Sequence, residues 1–168
     1  MSQVSISDEI DRAVDKLRKR LNEDQVSAAN SILENPVLGD GFLLPITDGP
    51  AGTGKTTVGV YASLKSIQEN IVDQILYIAP TNFACEQAKK AFEKQGIPPN
   101  AVIWVTPIQR KDWEKGIVGT RWDLLDLTPH ELRQLKSAPI IICTPYMLGR
   151  IRRGRLRTSR VKVIIDEF

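Results

Sequence analysis

Gly49-Pro50-Ala51-Gly52-Thr53-Gly54-Lys55-Thr56 is the stretch that decides the fold of this chain. The eight residues satisfy the pattern G-x-x-x-x-G-K-[ST], and they stand between an apolar run, Phe42 to Thr47, and a segment that reads as a helix, Lys55 to Gln68. A strand that turns through glycines into a helix can aim successive backbone N–H groups at one anion, and the helix N-terminus adds partial positive charge. Phosphate is the anion this cradle suits. Lys55 would reach the β- and γ-phosphates of a nucleoside triphosphate, and the Thr56 hydroxyl would sit on Mg²⁺. Thr57, one step along the helix, is expected to pack or cap nearby.

Outward from the cradle, short apolar runs alternate with helical ones. Strands are expected at Gln74 to Ala79, Ala101 to Val105, Ile140 to Cys143 and Val161 to Ile165, and a helix at Thr81 to Gln95. This alternation predicts an α/β fold, a parallel sheet with flanking helices. The Thr81 helix shows apolar residues at Phe83, Ala84, Ala88, Ala91 and Phe92, expected to lie on the sheet. The last strand delivers Asp166 and Glu167, two carboxylates at a strand tip, where the first would hold Mg²⁺ and the second would act as general base on a water. Before the cradle, helices are expected from Ser5 or Ser7 to about Leu21 and from Glu23 to Leu33. Residues 106–139 show no strand pattern, though Thr128-Pro129-His130-Glu131 reads as a capping box. The expected division is a helical segment at 1–34 and the nucleotide-binding unit at 35–168, with an elaboration at 106–139.

The 168 residues, 42% hydrophobic and 26% charged, suffice for one buried core. No apolar run is long enough for a membrane span and no leader pattern precedes the first helix, so a soluble intracellular protein, cytoplasmic or nuclear, is expected. Cys85 and Cys143 each lie in apolar surroundings and read as buried reduced thiols, and with the single His130 they fall short of a zinc site. The net charge is only +3, yet no acid occurs between Glu131 and Asp166. The run Arg150-Ile151-Arg152-Arg153-Gly154-Arg155-Leu156-Arg157 falls there, and Arg152, Arg153, Arg155 and Arg157 are candidates for an anionic partner or, equally, a solvated basic loop. Trp104, Trp113 and Trp122 are expected to pack rather than to serve as stacking platforms.

In order along the chain, Leu21-Asn22-Glu23-Asp24-Gln25, Gly49 to Thr56, Ala79-Pro80-Thr81-Asn82-Phe83-Ala84-Cys85-Glu86, Ile142-Cys143-Thr144 and Ile165-Asp166-Glu167 resemble the Q motif, motif I, motif Ia, a Thr-bearing strand end and motif II of superfamily 1 helicases. Within that group the likeness is to the branch containing the eukaryotic nonsense-mediated-decay helicase. The resemblance implies a RecA-like P-loop NTPase sheet, ATP and Mg²⁺ as cofactors, and single-stranded DNA or RNA as partner. Gln25 would hydrogen-bond the adenine edge, joining Gly49, Pro50, Ala51, Gly52, Thr53, Gly54, Lys55, Thr56 and Thr57 around the nucleotide, with Lys55 and Glu167 catalytic and Thr56 and Asp166 on the metal. Pro80, Thr81 and Asn82, and after them Thr144, would grip nucleic-acid phosphates; Thr81 as a plain helix cap fits the same residues.

The family's later motifs have no match in these residues. The sequence is therefore expected to be the first part of a longer helicase, with a second RecA-like domain C-terminal to Phe168. An arginine from such a domain can be worth roughly 10³ to 10⁵ in rate, so these residues alone are expected to bind ATP with little turnover. The family's sheet order also places a later strand beside the motif II strand, leaving an unpaired edge here. Other readings are a P-loop ATPase remodeller without unwinding activity and a non-catalytic nucleotide-dependent binding module.

Overall fold

Ser5 caps the first helix: its hydroxyl accepts the Asp8 amide at 3.2 Å, and α1 spans Ile6–Arg20. Ile10, Ala13, Val14 and Leu17 form its buried stripe, with acids in the first turn and Arg18, Lys19 and Arg20 in the last to complement the helix dipole. The computed structural model describes residues 5–33, 55–107, 111–119, 127–148 and 161–165. The expected strand at 42–47 lies outside them. After α1 come α2 (Glu23–Leu33), α3 (Lys55–Gln68), β1 (Gln74–Ile78), α4 (Asn82–Lys94), a 3₁₀ turn at Pro99–Ala101, β2 (Val102–Thr106), β3 (Lys111–Asp112), β4 (Ile117–Gly119), α5 (Pro129–Ser137), β5 (Ile140–Cys143) and β6 (Val161–Ile165).

Six described strands form one sheet in the order β3-β4-β2-β5-β1-β6. Only the β3–β4 pair is antiparallel. Every residue of β5 is buried, as expected of a parallel strand covered on both faces. Ile75 and Tyr77 of β1, with Ile140 and Ile142 of β5, face a core shared with α1 to α4. Ile78, Ile141 and Cys143 face the opposite way, onto Leu135 of α5 and Met147. This is the mixed α/β class that the alternating pattern predicts, and it is consistent with the RecA-like sheet that the resemblance implies.

Helix α3 lies between the sheet and the first two helices, both of which pack against it. It is buried on most sides, and its buried hydroxyls are satisfied within the helix: Ser63 donates to the Gly59 carbonyl and Ser66 to the Ala62 carbonyl, each at 2.7 Å. Gly59 sits against Tyr77, where an added Cβ would come within 2.9 Å of the phenol oxygen. The Tyr77 ring cannot easily yield, since it is fully buried and meets Phe92 edge-on at 5.6 Å.

Two expectations need correction. Residues 106–139 do contain strands: β3 and β4 make a short hairpin on the sheet edge, too brief for a period-two pattern to register. The buried face of α4 is Cys85, Ala88, Lys89 and Phe92, not a stripe through Phe83. At about 100° per residue, Phe83 points nearly opposite to Cys85, and it is exposed.

Lys89 ties α4 to the 3₁₀ turn and the start of β2, and Gly116 of the hairpin packs against it. The Lys89 ammonium is buried but has three acceptors: the carbonyls of Pro99 and Val102 and Glu93 at 3.1 Å. Burial pushes its pKa below the ordinary value, and Glu93 opposes that shift. Gly116 makes the arrangement possible, with φ of +68° and no side chain: a Cβ there would approach the Pro99 carbonyl oxygen to 2.1 Å and the Lys89 ammonium to 2.6 Å. Gly116→Ala is therefore expected to cost at least about 2 kcal/mol, from left-handed backbone strain plus the clash with a fixed carbonyl. Chemical denaturation of the two proteins measures it.

Glu131 ties α5 to the same hairpin. Its carboxylate accepts the Thr128 amide at 3.1 Å, completing the capping box, accepts the Trp113 indole N–H at 3.0 Å, and pairs with Lys111 at 3.6 Å. The Thr128 amide first, then Trp113 and Lys111, hold its pKa below the usual 4.5, against a smaller opposing effect of burial. A depressed carboxyl pKa contributes stability above the unfolded-state value that is lost as pH falls through the folded-state value. Glu131→Gln should flatten the fall in melting temperature on the acid side of pH 4.5, measured by thermal melts against pH.

Candidate nucleotide and nucleic-acid site

The carboxyl ends of parallel strands are where open α/β sheets bind ligands, because helix N-termini and turn amides converge there. In this protein the first turn of α3 and the ends of β1 and β6 meet at that edge. Helix α3 leads into β1, and its Gly59 lies against Tyr77, the fourth residue of that strand. The first turn of α3, beginning at Lys55, therefore overhangs the carboxyl end of β1. Strand β6 runs parallel to β1 with Ile78 beside Ile165, so it ends at the same edge. Asp166 and Glu167 are the next two residues in the sequence.

Of the expected nucleotide residues, Thr56 and Thr57 are half-buried in the first turn of α3. Gly49, Pro50, Ala51, Gly52, Thr53 and Gly54, the acids Asp166 and Glu167, the basic residues Arg152, Arg153, Arg155 and Arg157, and Trp122 lie outside the described residues. Lys55 is described only as the first residue of α3.

Gln25 has a more definite local role than a solvent-facing helix position. Asn22 is the N-cap of α2: its side-chain oxygen accepts the Gln25 amide at 2.8 Å, while the Gln25 side-chain oxygen accepts the Asn22 amide at 3.0 Å. This reciprocal pair is a capping box built from Asn and Gln. It fixes the plane of the Gln25 side-chain amide. The three-residue spacing of Asn22 and Gln25 carried this signal in the sequence.

The expected phosphate contacts fall on two neighbouring strands. Ile78 of β1 lies beside Cys143 of β5, and the Ala79 amide donates to the Cys143 carbonyl at 3.1 Å. Both strands then enter helical turns capped by threonine. The Thr81 hydroxyl accepts the Ala84 amide at 3.0 Å, and the Thr144 hydroxyl accepts the Met147 amide at 3.4 Å. A hydroxyl that accepts a capping N–H retains its own O–H to donate, so capping and phosphate contact are compatible. Pro80, Thr81 and Asn82 are exposed, and Thr144 is half-buried.

Behind this edge the two thiols are inert. Cys85 and Cys143 are free and buried, and burial pushes their pKa values up to about 11 and about 12. The reading of buried reduced thiols holds. Among the described residues no helix is long and apolar enough to cross a membrane.

Residues 22–168 match the DEAD/DEAH box helicase family, and the chain belongs to it. The match covers the Asn22–Gln25 box, the glycine loop, the two threonine-capped turns and the terminal acids together. One similar protein is Regulator of nonsense transcripts 1 of Dictyostelium discoideum, 33% identical over 81 residues, which are 46% of this chain and 5% of that protein. The chain thus spans only a small part of that relative's length. No solved structure matches it. The family is one of helicase-type, nucleotide-dependent proteins, and nucleic-acid binding goes with it.

The capping box is directly testable. Asn22→Ala should lower stability by about 1 kcal/mol, whereas Asn22→Asp, which keeps the acceptor, should lose little. Urea denaturation of the three proteins compares them.

Proposed function

We propose that this chain carries the ATP-binding half-site of a nucleic-acid helicase or translocase. The observation that carries the reading is the convergence of the α3 N-terminus and the β6 end on one sheet edge, through the Gly59–Tyr77 approach and the β1–β6 register. That edge suits the chemistry. The N-terminus of α3 carries partial positive charge that favours an anion, and the glycine loop precedes it in sequence.

Bound Mg-ATP supplies a phosphoanhydride whose cleavage drives the cycle. The protein's residues position it. Lys55 neutralises the β- and γ-phosphates, the Thr56 hydroxyl and Asp166 hold the metal, and Glu167 takes a proton from the attacking water. Gln25, oriented by its capping box, presents an amide to the adenine edge. Pro80, Thr81, Asn82 and Thr144 hold phosphates of a single DNA or RNA strand at the neighbouring turns, with Arg152, Arg153, Arg155 and Arg157 adding charge.

Lys55→Ala should abolish Mg-dependent binding of a fluorescent ATP analogue. Glu167→Gln should bind it nearly as well as the unaltered protein but stall hydrolysis, since the amide keeps the shape and loses the base. Asp166→Asn should instead weaken the Mg²⁺-dependent part of binding. Equilibrium titrations with and without Mg²⁺ separate the three. Unchanged affinity in Lys55→Ala would place the nucleotide elsewhere.

A further inference from the structure

Six large apolar side chains are exposed among the described residues: Ile6, Ile71, Phe83, Tyr146, Val163 and Ile165. Only Phe83 and Tyr146 are aromatic, and they are by far the most exposed, at 71% and 65%. They also occupy equivalent places. Each stands two residues after the threonine that caps its turn, Phe83 after Thr81 and Tyr146 after Thr144. The two turns leave adjacent parallel strands in register, Ile78 beside Cys143, at the same sheet edge. Phe83 starts a helix packed on one face of the sheet, whereas Tyr146 starts a turn whose Met147 is buried against the other.

An exposed phenylalanine adds little to folding, since its ring reaches neither core. Two rings flanking an edge whose threonine caps retain O–H donors form a different kind of surface: polar donors for phosphates beside flat apolar faces. The sequence adds charge of the matching sign. The arginine run begins four residues after Tyr146, and no acid occurs from Leu132 to Ile165. Cationic groups with aromatic rings are what a single strand needs, because every base has a face to stack whatever its identity.

We propose that Phe83 and Tyr146 are base-stacking contacts for single-stranded nucleic acid, one on each side of the carboxyl edge between β1 and β5. This rests on the nucleic-acid reading above and deepens it. Phosphate contacts by Thr81, Asn82 and Thr144 hold the backbone, and the two rings take successive bases without reading their sequence.

The test compares an oligothymidylate with an abasic phosphodiester strand of equal length, each fluorescently labelled, by anisotropy. The unaltered protein should bind the base-bearing strand more tightly. In Phe83→Ala with Tyr146→Ala, affinity for the oligothymidylate should fall by about fivefold to a hundredfold per ring, leaving abasic affinity unchanged. Phe83→Leu with Tyr146→Leu, which keeps apolar bulk, should behave like the alanine pair, while Phe83→Trp with Tyr146→Phe should retain the preference for bases. The melting temperature of Phe83→Ala alone should stay near that of the unaltered protein, its ring being exposed and outside both cores. If the unaltered protein binds both strands and the alanine pair keeps its preference for bases, stacking is overturned while the phosphate reading stands. Equal loss toward both strands would also overturn it, assigning the rings to the backbone grip or the fold. Failure of the unaltered protein to bind either strand would overturn the nucleic-acid reading and this proposal with it.

Discussion

The absence of a side chain at Gly59 governs where everything else at the site can be. It lets α3 settle onto the Tyr77 ring, which Phe92 of α4 braces from its edge. That contact sets the height of α3 over β1, and so the distance from the first turn of α3 to the strand ends. A larger residue at Gly59 would lift the helix or displace a fully buried ring, and either change would move Lys55 and Thr56 relative to the end of β6. Since α1 and α2 pack on the outer side of α3, the Asn22–Gln25 box is carried by the same contact. One close approach thus couples the expected adenine-side residue, the phosphate-side residues and the sheet.

A second economy appears at the strand ends. Thr81 and Thr144 each satisfy an otherwise unpartnered amide of a helical turn, which stabilises the turn locally. The same oxygens remain at the edge with a proton to donate. Capping therefore leaves the hydroxyl proton available for the proposed phosphate contact. The fold supports these turns from behind with the buried Ile75 and Ile78 of β1 and Ile140, Ile141 and Ile142 of β5, and with two thiols whose burial keeps them protonated.

Most of the architecture was legible because its elements are long or punctuated. The bounds of α2, α3, β5 and β6 follow the apolar runs and their caps residue for residue, and the glycine-lysine-threonine pattern announced α3 before any packing was known. The hairpin of β3 and β4 was not legible, because two- and three-residue strands have no period and depend on Glu131 and the left-handed Gly116 for their place. Phe83 was misplaced because composition was weighed above angle: a phenylalanine next to an apolar stripe is not on it. The buried Lys89 was missed for the complementary reason, since its charge hid a position in the stripe that three acceptors make tolerable. For the site, Asn22 and Gln25 were singled out as a pair, but the sequence reading did not reveal that they hydrogen-bond each other.

The central claim is that a nucleotide binds where α3 begins and β6 ends. Hydrogen–deuterium exchange of the protein with and without Mg-ATP tests this most directly, because bound phosphate must protect the amides that hold it. The account predicts slowed exchange concentrated in residues 49–58, with a smaller effect in peptides covering 163–168, and both lost in Lys55→Ala. Protection confined to other segments, or no Mg²⁺-dependent protection in 49–58, would contradict it.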